Sequence, residues 1–401
     1  MPSANELRGL IEDLSKVVAL QREILEELEH QLRSAKSDLN TLVDPVAQLP
    51  LELSSEIFMQ CLSTTADMQA AALLPCVCRS WSDIALATPS LWTTISDDGV
   101  PAVKFPQLFE IWLRRGKNLP LSLSLRHIDP VAFADTVEAL EEHAYRVQEL
   151  EILRVGLDLG QITYPFTALE TLTLEGSKQE FLASSASEMV EMLRGASKLV
   201  ECNLLRAYYR DHTPSDLTHC SLQHLRLGRL EDGHSSAVIL RHLTLPSLQT
   251  LCISRFDIST TDFLQFFTRS SPPLRSLELR LPVSDVASET IACLKLLPDL
   301  ANLRIIYNWD NVGTFFDKLA AAPDVLPALR DFWISGYLRN LAGYQRVLDV
   351  LTRRRKTLRS FHLVVAEEDE DHFSADVGAA FRELVGEGME IHIGTAVKNF
   401  L

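Results

Sequence analysis

Seven cysteines and eleven histidines are the side chains of this sequence with the softest ligands and the most adaptable acid–base chemistry. Cys76 and Cys78 are separated by one residue. A zinc knuckle needs wider spacing and a second pair of ligands nearby, and no such pair with histidines follows. His224 lies between Cys220 and Cys252 in the chain, which suggests a thiol–imidazole pair, but all three fall within a repeating strand pattern that already accounts for them. There is no phosphate-binding glycine loop, dinucleotide fingerprint, nucleophile elbow or zinc-protease helix. The expectation is a non-catalytic protein with no cofactor and no metal. Two charge runs remain. Arg353-Arg354-Arg355-Lys356 falls at a helix end, where cations complement the dipole, and a nuclear-localisation signal is its other reading. Glu367-Glu368-Asp369-Glu370-Asp371 reads as a solvated loop.

Composition narrows the class further. The chain has 401 residues, 46% apolar and 23% charged, an ordinary globular balance. With 38 basic and 54 acidic side chains the formal charge is −16, which repels phosphate backbones and anionic membranes. The N-terminus turns amphipathic at once, without the apolar core of a secretory signal, and no stretch is apolar for long enough to span a bilayer. The odd cysteine count suits free thiols in a reducing compartment, the cytosol or nucleus.

The elements that must position any surface begin with a heptad. One column reads Ile11, Val18, Leu25, Leu32, Leu39, and the other Leu7, Leu14, Gln21, Leu28, Ala35, Leu42. This predicts one long helix over residues 1–44 with a single apolar seam, ended by Asp44-Pro45. β-branched residues dominate neither column, so oligomer state stays open. The helix either folds back on its own chain or self-associates as a coiled coil, with Gln21 marking register in the second case.

From Gln48 to Ile95 the pattern becomes short helices. Leu53, Ile57 and Leu62 are at helical spacing after Pro50. Ala70 to Leu74 and Val77 to Ala85 predict two more helices, with Pro75 between them and Thr88-Pro89 after them. In order, the string reads Leu49-Pro50-x-Glu52-Leu53, then Ile57-Phe58, Leu74, Val77-Cys78-Arg79-x-Trp81, Ile84-Ala85 and Pro89-x-Leu91-Trp92. This string resembles an F-box, in the form abundant in mushroom-type (basidiomycete) fungi, where an amphipathic helix precedes it and a leucine-rich region follows. The resemblance implies docking onto a Skp-type adaptor and, through it, a cullin-based ubiquitin ligase. The residues it assigns to that contact are Leu49, Pro50, Leu53, Ile57, Phe58, Leu74, Val77 and Trp81. Cys78, Ile84, Ala85, Leu91 and Trp92 are expected to face inward. Physically, a module of about 45 residues cannot bury this many large apolar groups by itself.

After Trp92 the chain repeats. The template L-x-x-L-x-L, allowing other apolar residues, starts at Val147, Leu169, Leu199, Leu222, Leu248, Leu274, Leu300, Leu329 and Leu358. The spacing averages about 26 residues, within the period of leucine-rich repeats, and accounts for leucine being about one residue in six. Residues 120–125 and 390–393 alternate like a first and a last strand. Helices are predicted over 261–268, 284–297, 313–322, 341–353 and 374–384, with Ser259, Ser284 and Ser374 as N-caps. Strand plus helix per repeat predicts an α/β horseshoe, a parallel sheet inside and helices outside.

On each strand the residue between the last two apolar positions points away from the core. That column reads Glu151, Thr173, Asn203, Arg226, Cys252, Glu278, Arg304, Trp333 and His362. The column two residues earlier is polar as well. Arg and Trp anchor protein interfaces, so the expected target-binding residues are Arg226, Glu278, Arg280, Arg304, Trp333 and His362. Arg226, Arg280 and Arg304 together would also suit a phosphorylated target.

The sequence thus predicts an α/β protein in three parts: a coiled-coil-like helix (1–44), an F-box (45–95) and a leucine-rich-repeat-like domain (96–401). The expected function is the substrate receptor of an SCF-type E3 ubiquitin ligase. The alternative is a non-catalytic repeat scaffold, outside any ligase, whose small helices cap the array. That alternative requires Leu53, Ile57 and Trp81 to be buried.

Overall fold

The computed structural model describes all residues except 1–3, 47, 64–67, 156–158, 177–185, 206–214, 229–235, 255–259, 282–286, 339–340, 366–372, 374 and 396. It divides into two compact units. One comprises residues 1–100 and 111–119, the other residues 101–110 and 120–401.

The first unit opens with helix α1 (Ala4–Val43), continuous over 40 residues as the heptad predicts. Its heptad seam is exposed among the described residues. The large apolar residues of both columns, from Leu7 to Leu42, are 45–74% exposed. The helix stops where proline follows, and Asp44 secures the turn by accepting the Val46 backbone N–H at 2.9 Å through Oδ1. Helix α2 (Leu51–Ser63) starts after Pro50, whose carbonyl accepts the N–H groups of Leu53 and Ser54 at 3.0 and 3.1 Å. Helix α3 (Met68–Val77) differs from expectation, for it runs through Pro75 instead of ending before it. Pro75 lacks the N–H that would reach the Ala71 carbonyl, and the helix ends two residues after it. The break falls at Cys78, whose backbone is extended (φ −157°, ψ 172°), and α4 (Arg79–Ala87) follows. A short 3-10 turn, Pro89–Trp92, then places Trp92 fully buried, its indole N–H donating to the Ala85 carbonyl at 2.9 Å. Trp112 meets it edge-on at 4.9 Å, and the Arg115 guanidinium lies 4.5 Å above its ring.

In the second unit, strands from Leu121–Leu125 to Glu390–Gly394 lie side by side in chain order, every described pair parallel. Helices such as Thr260–Ser270, Ala287–Leu294, Gly313–Ala320, Leu341–Arg354 and Ala375–Gly386 alternate with them. The proposed caps Ser259, Ser284 and Ser374 lie outside the described residues. Asp129 is an N-cap that sequence reasoning missed. Its carboxylate accepts the N–H groups of Val131 and Ala132 at 3.0 and 2.9 Å, ahead of Pro130–Leu140.

Most strands begin two residues later than the template does, at Thr171 rather than Leu169 and at Asn302 rather than Leu300. The leading leucine instead closes a turn. The N–H groups of Leu169, Leu199, Leu248, Leu300 and Leu329 each donate to the carbonyl three residues back, at 3.0–3.3 Å. Its side chain is buried in every such repeat. The next residue carries a backbone ladder from repeat to repeat: Glu170 N–H to Gln148, Gln249 to Gln223, Arg275 to Gln249, Ala301 to Arg275, Arg330 to Ala301 and Arg359 to Arg330, at 2.7–2.9 Å. The period is therefore fixed by backbone bonds as well as by leucine burial. Late in the array phenylalanine replaces leucine, and Phe332 packs on Phe361 and Phe316 at 5.5 and 6.0 Å between centroids.

Candidate functional site

Two surfaces stand out, one in each unit. In the first unit the helices bury one set of residues and leave an equally apolar set in water. On α2, Ser54 and Phe58 form the inner face at i, i+4 spacing, 0% and 1% exposed. Leu53 and Ile57, one position earlier on the helix, are 53% and 40% exposed. Leu49 and Pro50 are exposed ahead of them. On α3, Leu73 and Val77 repeat the arrangement at 63% and 56% exposed, with Leu74 half-buried. Phe58, expected among the contact residues, is therefore a core residue. Its ring packs against Trp81 with 5.0 Å between centroids.

Trp81 is half-buried, and its indole N–H donates to Oδ2 of Asp44. The same carboxylate oxygen accepts the Cys78 thiol at 3.9 Å. The residue that ends α1 thus also anchors α4, a role hidden from sequence reasoning because 37 residues separate the partners. Of the residues expected inside, Ala85, Leu91 and Trp92 are buried, while Cys78 and Ile84 are half-buried. Leu51 and Leu73 are exposed leucines that the motif did not single out. The i, i+4 spacing of Leu73 to Val77 was the available signal.

The second surface is one face of the parallel sheet. Strand register places the expected column in a continuous row: Arg226 beside Cys252, Cys252 beside Glu278, then Arg304, Trp333, His362 and His392. The Arg304 guanidinium lies 4.2 Å above the Trp333 ring, and its Nε is 3.9 Å from a Glu278 carboxylate oxygen. His362 and His392 stack at 5.8 Å and 22°. At the other end of the row Glu151 accepts from Ser124 at 2.5 Å and pairs with Arg126 at 2.9 Å. Arg280 is exposed one pleat along the strand from Glu278. Arg226, Arg280 and Arg304 do not form one basic pocket, because Glu278 stands between the first and last in the row. Cys252 sits in the polar row yet is buried, and burial, then the nearby Glu278 carboxylate, push its thiol up to about 11. Burial pushes Cys202 and Cys293 up to about 12. These thiols stay neutral and inert at physiological pH.

The basic run is largely committed to structure. Arg353 donates to the Ala320 carbonyl at 3.0 Å, and Arg354 to Val325 and Leu326 at 2.6 and 3.0 Å. Arg355 pairs with Glu387 at 3.2 Å. These bonds tie one repeat to its neighbours. The acidic run lies outside the described residues.

The helical module thus presents a set of apolar side chains, and the repeat sheet presents a polar row. Residues 46–98 match the F-box-like family, so the chain carries an F-box-like domain there. No curated protein matches the chain. Among solved structures, the crystal structure of a TLR13–ssRNA13 complex is 14% identical, covering 64% of this chain and 41% of that one, with a TM-score of 0.33. The chain thus spans less than half of that protein, and a likeness at this score carries no argument.

Proposed function

We propose that the protein is the substrate receptor of an SCF-type ubiquitin ligase. In this reading Leu49, Pro50, Leu53, Ile57 and Val77, joined by Leu51 and Leu73, dock a Skp-type adaptor and through it a cullin. The second unit is read as a leucine-rich-repeat arc that holds a target protein along the row from Arg226 to His362. The chain performs no chemistry of its own. It raises the effective concentration of target lysines near a charged conjugating enzyme. A reducing compartment, cytosol or nucleus, fits both the partners and the free thiols.

The observation that carries the reading is the exposure of Leu53 and Ile57 within the F-box-like domain. A scaffold whose helices only cap the repeats would bury them. Fully burying such side chains is worth ~1.5–3 kcal/mol each, so four to six of them outweigh a substantial part of the ~4–15 kcal/mol association cost. The test is co-purification with a Skp-type adaptor, for the chain itself and for Leu53→Asp combined with Ile57→Asp. Loss of the adaptor with the melting curve unchanged supports docking. Equal recovery by a folded double variant overturns it.

A further inference from the structure

The heptad seam of α1 has no role in that reading, and its large apolar residues are exposed among the described residues. A seam that keeps a 3.5-residue period over 40 residues, about 60 Å of helix, needs a helical occupant of matching length and period. Among the described residues the next longest helix, Leu341–Arg354, has 14 residues and cannot serve. We propose that α1 pairs with α1 of a second copy of this chain, as a parallel, in-register two-stranded coiled coil.

Three features of α1 select this occupant and orientation. Gln21 is the polar residue within the two columns. It meets the partner's Gln21, where the two amides can satisfy one another, when the helices are parallel and in register. In the centred antiparallel arrangement it faces an apolar residue instead. The columns flanking the seam are free of like-charge contacts in the parallel form, where Gln31 lies beside the partner's Lys36 and Ile24 beside the partner's Glu29. Centred antiparallel packing sets Arg22 against the partner's Arg22, a repulsive contact. In the first turns only, Ile11 and Val18 occupy one column with Leu7 and Leu14 in the other, an arrangement that favours two strands locally, while Leu25, Leu32 and Leu39 continue that column without specifying a number. Leu10, Val17 and Ile24, also exposed, widen the apolar stripe on the same side. Charged residues elsewhere stabilise the helix itself, with Lys16 to Glu12 at 2.8 Å and Arg33 to Glu29 at 4.0 Å. The consequence is a bivalent molecule whose two F-box-like domains follow the same end of the coiled coil. The inference does not depend on the identity of any adaptor.

The test is light scattering of the full chain at micromolar concentration. The expected mass is twice the 45.0 kDa of one chain. Combining Leu14→Asp with Leu28→Asp should weaken association at least 100-fold and give the single-chain mass, while the melting of the repeat sheet stays the same. A single-chain or three-chain mass for the unaltered protein overturns the proposal. For orientation, Gln21→Cys should form a covalent dimer under mild oxidation, in excess of the unaltered chain, whereas Lys16→Cys on the outer face should not. A two-chain mass without Gln21→Cys cross-linking overturns the parallel register.

Discussion

The F-box-like domain and the repeat sheet treat apolar residues in opposite ways. In the sheet, strict alternation sends Leu277 and Leu279 into the core and leaves Ser276, Glu278 and Arg280 outside. Each stacked repeat adds interior as fast as it adds leucines, so the sheet accommodates nearly all of them. In the small domain α2 has an inner face of Ser54 and Phe58 and an outer face of Leu53 and Ile57. The interior enclosed by a few short helices fills before the apolar residues run out. The comparison shows that hydrophobicity alone does not mark a core. What counts is how much interior the local architecture can provide, and the surplus is left in water.

The sharpest way to break this comparison is to truncate neighbours with opposite fates. Phe58→Ala should cost about 3–5 kcal/mol in urea unfolding of the first unit. Leu53→Ala, in water, should cost well under 1 kcal/mol. Similar losses for both would show that α2 is rotated from the orientation described. Next in size, the Leu53→Asp and Ile57→Asp pair should reduce adaptor binding about 100-fold or more in a titration, as expected for central anchors. Asp44→Ala removes the acceptor of the Trp81 indole and should destabilise the first unit by about 1–2 kcal/mol, read as a lower melting point with the sheet's transition unmoved.

Smaller effects belong to the sheet. Trp333→Ala removes a half-buried ring and its cation–π contact with the exposed Arg304, worth about 0.5–1 kcal/mol, so the loss of stability should be small beside that of Phe58→Ala. Capture of a target by the row should fall about tenfold, and an unchanged target list would remove Trp333 from the recognition surface. The thiols give the finest discrimination. Cys61, Cys76 and Cys220 are exposed and should react with a maleimide at neutral pH, while Cys202 and Cys293 stay protected until unfolding. Their ordinary value is 9.0 and the folded value about 12. The unfolded chain therefore releases these protons first as pH rises. Their contribution to stability is complete below pH 9 and declines from there toward 12, visible as alkaline lowering of the melting temperature.

Much of this was legible in the order of residues. The heptad gave α1 to within a few residues, and the strand template placed the polar row before any register was known. The F-box string located the helices of the small domain. The errors have separate causes. Pro75 was read as a boundary, although the helix runs two residues past it. The leading leucines were read as strand residues because burial looks the same in a turn and a strand. Phe58 was read as a contact residue because the string contains it, and a string carries no rotation angle.

What the sequence determined by itself is periodicity: 3.5 for the coiled-coil-like helix, 2 within each strand, about 26 from one repeat to the next. These are local properties, set by backbone geometry and by which side chains recur on one side of an element. The tertiary structure decided how each element turns toward its neighbours. It put Phe58 inside and Leu53 outside, tied Asp44 to Trp81 across 37 residues, and buried Cys252 in an otherwise polar row. Those outcomes depend on the space left once every other element has packed, and no local period encodes it.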